Sequence, residues 1–239
     1  MDQQELEKLL EDRLYCLAYT KHQIFTSAFM DAAMNLGLDI EYFRLYWNQT
    51  ELYLDRSIEE RKEKLDRLEK QNPESVAFLY LDKALASMMI TEAEKYSYLI
   101  RSWFFITLVS YFEAEFSRYA RMISGDETTT FDGMERTKDY LVKVQKISYP
   151  FGTSRTWHEL QNIRAVRNCI VHNQSDVSGL TQPRKTKLIS YVRSCPSLSL
   201  YKNELQIQKE YIDIVLNTID MFCWSFLESI SDRFVAKSL

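Results

Sequence analysis

Glycine and proline are scarce, with 5 and 4 in 239 residues. Usage this low leaves long stretches without a turn signal, which excludes an all-β fold and predicts an all-α chain. Histidine is scarcer still, at 3, and the four cysteines Cys16, Cys169, Cys195 and Cys223 lie far apart with no C-x-x-C pair. Neither a disulfide framework nor a zinc site follows from that spacing, so reduced thiols and no metal or other cofactor are expected. Long apolar runs are missing as well: the longest, Trp103 to Phe112, is too short to cross a bilayer and has Arg101 at its edge. The opening stretch MDQQELEKLLEDR is acidic and amphipathic, unlike a secretory or transit signal. The expectation is a cytoplasmic protein with no membrane partner.

The composition, 46% hydrophobic and 27% charged, is that of a globular chain able to bury one good core or two small ones. The net charge of -4 conceals an asymmetry. Residues 1–100 carry 12 Lys and Arg against 19 Asp and Glu, a net of -7. Residues 143–193 carry 9 Lys and Arg against only Glu159 and Asp176, a net of +7. A polyanion would be drawn to the second segment and repelled by the first, although a solvated basic face balancing an acidic one fits the counts equally.

Apolar spacing of three and four residues recurs along the chain. It predicts helices over Glu5 to Ala18 and His22 to Leu36, the second closed by Gly37, and a third from Glu41 to Gln71 whose charged second half projects into solvent. Residues 74–90 read as a shorter helix. Thr91-Glu92-Ala93-Glu94 resembles a capping box opening a long helix to Ile123, with Phe105, Val109, Phe112, Phe116, Tyr119 and Ile123 as its buried stripe. Helices over Met134 to Ile147, Thr156 to Asn173 and Gln182 to Ser194 follow. SLSLYKNELQIQ alternates around Lys202-Asn203 and is the one predicted hairpin, and a last helix runs from Lys209 to Phe234. The domain boundary is expected near residue 90, dividing an N-terminal helical region (1–90) from a second helical domain (91–239).

The helix over Thr156 to Asn173 carries the residues that suggest chemistry. Leu160, Ile163, Val166 and Ile170 define its buried face, while Gln161, Asn168 and His172 point the other way. Asn168 and His172 are i, i+4 neighbours, close enough for the amide to orient the imidazole. Arg167 falls at the edge of the apolar stripe, where a guanidinium needs a carboxylate, a phosphate or a partner surface. It lies about 140° from His172 around the helix, so one helix cannot easily aim both at one phosphate, whereas two copies meeting at a dyad could. Glu113 flanks the stripe of the preceding long helix; it either pairs with Arg167 or is an ordinary helix-face carboxylate. Arg164, one turn before Asn168, could reach a phosphate or be solvated. His22 and His158 have no companions and receive no role. The Tyr and Phe stripes are spaced as core, not as base-stacking platforms.

Arg167-Asn168-Cys169-Ile170-Val171-His172 fits the R-[polar]-x-x-x-H motif of the HEPN superfamily, and the surroundings resemble that superfamily too. WHELQNIRAVRNCIVHN resembles its motif helix, LVSYFEAEFSRYARMI its earlier helix with an inward glutamate, and the hairpin and last helix its C-terminal end. The resemblance covers roughly residues 91–239. It implies a HEPN-like helical bundle and a metal-independent endoribonuclease acting as a toxin or antiviral effector, in a prokaryotic defence or toxin-antitoxin setting. By the same resemblance Arg167 and His172 would be the catalytic pair, Asn168 the polar residue after the arginine, and Glu113 and Arg164 supporting groups. RNA, a homodimer with facing motif helices, and an antitoxin or defence protein would be the partners. The alternatives are a non-catalytic HEPN-like module that binds RNA, nucleotide or protein, and a purely structural scaffold, which would leave Arg167 and the basic segment without a purpose.

Overall fold

The computed structural model describes residues 27–70, 76–125, 130–131 and 133–236, and among these the chain is helical apart from one hairpin. The elements are α1 (Ser27–Lys70), α2 (Val76–Ser124), α3 (Met134–Lys143), α4 (Arg155–Asn173), a 3₁₀ turn (Val177–Gly179), α5 (Gln182–Ser194), β1 (Leu198–Tyr201), β2 (Glu204–Ile207) and α6 (Lys209–Ala236). The expected helix over Glu5 to Ala18 lies outside the described residues. From Met134 onward the elements fall where hydrophobic spacing put them, within a few residues at their ends.

The first half departs from expectation at two punctuation points. Gly37 does not end a helix: it lies buried inside α1, which runs on to Lys70. A mid-helix glycine costs about 1 kcal/mol, and burying Leu36, Ile40 and Trp47 along the same helix outweighs it. Thr91 does not open a helix either. Its hydroxyl donates to the Ser87 carbonyl one turn back (3.2 Å), as an interior threonine does, and α2 continues unbroken through residue 90. With neither glycine nor proline in its 49 residues, α2 has nothing to stop it. Position 90 therefore falls inside a helix. Leu36, Ile40 and Trp47 of α1 also share one core with the residues that follow.

α1 and α2 run antiparallel, as their cross-links show: Asp39 accepts from the Tyr111 hydroxyl, Glu51 pairs with Arg101, and Arg61 donates to the Met89 carbonyl. On the opposite side α2 packs against α3, α4, α6 and β2. Phe112, Phe116, Phe151, Trp157, Phe222 and Phe226 stack there, centroid to centroid at about 5 to 6 Å, in edge and tilted pairs. The expected stripe of α2 is one face of this core, and Ile212, Val215, Ile219, Phe222, Phe226 and Ile230 of α6 are another.

The hairpin pairs Leu198 with Ile207 and Tyr201 with Glu204. Its turn residues Lys202 and Asn203 both take positive φ, 50° and 72°, the geometry of a two-residue hairpin turn that matches strand twist. β2 also fixes the segment after α4. The Leu205 amide donates to the Ser175 carbonyl at 2.9 Å and the Val177 amide to Asn203 at 3.0 Å, while the Tyr98 hydroxyl of α2 donates to the Leu205 carbonyl at 2.9 Å. The C-terminal end of α4 is thus held to α2 through the hairpin.

The Glu51–Arg101 pair is a two-pronged one, with contacts of 2.8 and 2.7 Å, and its side chains are only 10% and 16% exposed. The neighbouring carboxylate holds the arginine above its ordinary pKa. Glu51→Ala, which strands that guanidinium, is expected to cost about 3 kcal/mol in urea unfolding, whereas Glu51→Leu with Arg101→Met should recover most of the loss. A double variant as unstable as the single one would contradict this account of the pair.

Candidate functional site

α4 begins at Ser154, whose hydroxyl accepts from the Trp157 amide, and ends at Gln174, which takes the left-handed conformation (φ 52°). Leu160, Ile163 and Val166 are buried and Ile170 is partly buried against them, as the helical spacing requires. The other side of α4 faces α5 across a cleft of about 560 Å³. Gln161, Asn168 and His172 lie together on the α4 wall, as expected from their spacing, joined by Arg164 and Asn173. Arg184 and Lys187 of α5 line the opposite wall. The cleft lining contains no Asp or Glu. Arg184 and Lys187 therefore bring positive charge to a cavity with no carboxylate on its walls, an arrangement that concentrates anions.

The remaining site residues divide between this cleft and α2. Arg164 reaches back to Glu113, with Nε 3.2 Å from the carboxylate, so the carboxylate of α2 pairs with Arg164 and not with Arg167. Gly133, at the N-terminus of α3 with φ 83°, makes room for that guanidinium: a Cβ there would stand 3.2 Å from Arg164 Nη2. Gly179 does the same for the cleft, since a Cβ at that position would stand 2.8 Å from the Asn173 side-chain nitrogen.

Arg167 turns away from the cleft. Its Nη2 donates to the Ser110 hydroxyl at 3.3 Å and its Nη1 to the Asn168 side-chain oxygen at 3.1 Å, while its buried Nε has no partner. Among the described residues no carboxylate lies within 4.0 Å of this guanidinium. The Asn168 oxygen is thereby engaged with Arg167, and the expected orientation of His172 by Asn168 is not formed. Asn168 instead stands between the two, bonded to Arg167 and lining the cleft that His172 lines. His172 is exposed in the last turn of α4.

Cys169, between them in sequence, is fully buried, and burial pushes its thiol up to about 11, so it is a packing residue in this site and not a nucleophile. Among the described residues no three His, Cys, Asp or Glu side chains converge as metal ligands would. Nor is any helix there long and apolar enough to cross a membrane.

Sequence reasoning missed Ser110, Tyr98 and the α5 wall. Ser110 had a faint signal: it is a small polar residue inside an apolar run, one turn before Glu113. Arg184 and Lys187 were counted as charge, but nothing in their spacing said that they oppose His172.

A half-buried guanidinium with an unpaired Nε and no counter-ion costs stability that only an anion or partner can return. Arg167→Met, which keeps length and packing, is expected to raise the unfolding free energy by about 1 kcal/mol in denaturant titration. A clear loss of stability would mean that the Ser110 and Asn168 contacts satisfy the arginine. No family model, curated protein or solved structure matches this chain.

Proposed function

We propose that the chain is a metal-independent endoribonuclease of the HEPN type, acting as a toxin or antiviral effector in a prokaryotic defence or toxin-antitoxin setting. The observation that carries the reading is Arg167, a half-buried guanidinium without a carboxylate, one residue before an asparagine that shares an anion-attracting cleft with His172. In such a site the imidazole takes the proton of a ribose 2'-hydroxyl, or returns one to the departing 5'-oxygen. The 2'-oxygen attacks phosphorus and the 5'-oxygen leaves, giving a 2',3'-cyclic phosphate and a free 5'-hydroxyl. An arginine fork is suited to the charge that builds on the phosphorane oxygens.

Arg167 and His172 leave α4 in different directions, one toward Ser110 and one into the cleft. The proposed active centre is accordingly composite, Arg167 from one protomer meeting His172 from another across an isologous dyad. A second reading has its own support. The contacts of Arg167 with Ser110 and Asn168 hold it within its own chain, which favours a module that binds RNA, nucleotide or a protein without cutting.

Labelled RNA incubated with the protein in excess EDTA separates these readings. Cleavage should persist, and His172→Ala should reduce it by about 10²-fold or more with an unchanged melting temperature, since the side chain is exposed. Binding without any cleavage would select the second reading. Mixing Arg167→Ala with His172→Ala protein under subunit exchange should partly restore cleavage, because one of the two centres in a heterodimer then keeps both residues. Full activity per chain in a protein that sediments as a monomer would refute the composite centre.

A further inference from the structure

The half of α2 nearer its N-terminus carries an apolar stripe that the described residues leave uncovered. Leu81, Leu85, Met88, Tyr96, Leu99 and Trp103 are all exposed, Trp103 to 75% and Met88 to 63%. Their spacing puts them on one face within roughly 80° of arc. The face toward α1 is instead built on Ala86, Ala93 and Ser97, which are buried. Beside Trp103 the stripe opens into a groove of about 440 Å³ against Phe43, Tyr46 and Thr50 of α1. Tyr42 and Tyr53 follow Tyr46 along that side of α1 at helical spacing, and both are exposed. Continuous exposed apolar surface of this extent marks an interaction site.

The stripe reads the same in both directions. From Leu81 the steps to Leu85, Met88, Glu92, Tyr96, Leu99 and Trp103 are four, three, four, four, three and four residues, with Glu92 at the midpoint. This is an eleven-residue repeat, which drifts only about 20° around a straight helix per repeat. A helix face with that symmetry is complementary to itself run backwards. Laid antiparallel on a second copy with the dyad at Glu92, it sets Leu81 opposite the partner's Trp103, Leu85 opposite the partner's Leu99 and Met88 opposite the partner's Tyr96. Large side chains at one end thus meet smaller ones at the other. The two glutamates that approach at the dyad each find a countercharge within one turn, the partner's Lys95.

The stripe is roughly 33 Å long at the helical rise. One helix width for α2, and another for the part of α1 from Tyr42 to Tyr53, gives about 400–500 Å² per copy at the usual 8–10 Å spacing. Two copies together bury about 800–1,000 Å², the size of a weak, reversible interface. From this geometry we infer that two copies of the chain associate antiparallel through the α2 stripe, in an interface separate from the motif helices.

Sedimentation of the full chain is the first test. The wild type should associate through this face, and Leu85→Asp with Leu99→Asp should lower the assembled mass to that of the motif-helix dimer, or to the monomer if the composite centre does not form, while leaving the helical circular dichroism unchanged, since both side chains are exposed. Each copy carries a net of -7 over residues 1–100, so high salt should tighten this dimer. A short bismaleimide fixes the register. Glu92→Cys should cross-link between chains, and Leu81→Cys should cross-link to Trp103→Cys protein but not to itself. Three outcomes would overturn the inference: an assembled mass that the aspartates leave unchanged, which puts the contact elsewhere; self-linking of Leu81→Cys, which is a parallel pairing; or a monomer in which Glu92→Cys links to Cys16 of its own chain, which gives the stripe to the N-terminal segment.

Discussion

One uninterrupted helix, α2, sets the terms for everything around it. An α-helix of 49 residues is far longer than the core of a domain this size, so it cannot be buried along its whole length. Its C-terminal half is enclosed, with α1 on one side and α3, α4 and α6 on the other, and Phe105, Phe112 and Phe116 fill the space between them. Among the described residues its N-terminal half packs on α1 and reaches β2 at Tyr98. The same helix therefore supplies the core, the two residues that hold the arginines of α4, and an apolar face open to solvent.

Three arginines at helix contacts show how differently a charge can be settled. Arg101 has a two-pronged carboxylate and little exposure, and it fastens α1 to α2. Arg164 has a single contact to Glu113 and still borders the cleft, so part of its charge is available there. Arg167 has only neutral acceptors, one hydroxyl and one amide oxygen, with Nε left bare. Neutral acceptors return about half of what a charged one does, so the least satisfied of the three is the one in the motif.

The fold was legible in the sequence wherever one face of a helix had to be buried. The stripes of α2 and α4, the helices α5 and α6 and the turn at Lys202-Asn203 all follow from residue spacing, because burial enforces the period. The breaks in the first half were misread because Gly37 and Thr91 are weak punctuation. Each costs a helix about 1 kcal/mol or less, and neighbouring burial or a hydroxyl bond to the preceding turn removes the penalty. In the site, helical geometry separated Arg167 from His172 and grouped Gln161 with Asn168. It could not show that Glu113 chooses Arg164, since that depends on how α2 and α4 cross. Ser110, Arg184 and Lys187 were hidden for the same reason: they come from other elements, and only packing brings them near.

The continuity of α2 makes it a lever. Leu85 and Met88 lie on the same rigid rod as Ser110 and Glu113, with no glycine or proline between to absorb a twist. A turn of roughly 10° about the axis of a helix 10–12 Å across displaces a side chain at its rim by about 1 Å, and it does so equally at every level. A shift of that size at Ser110 is enough to break or remake its contact with Arg167. Whatever grips the outer half of this rod also holds the hydroxyl on which the motif arginine rests.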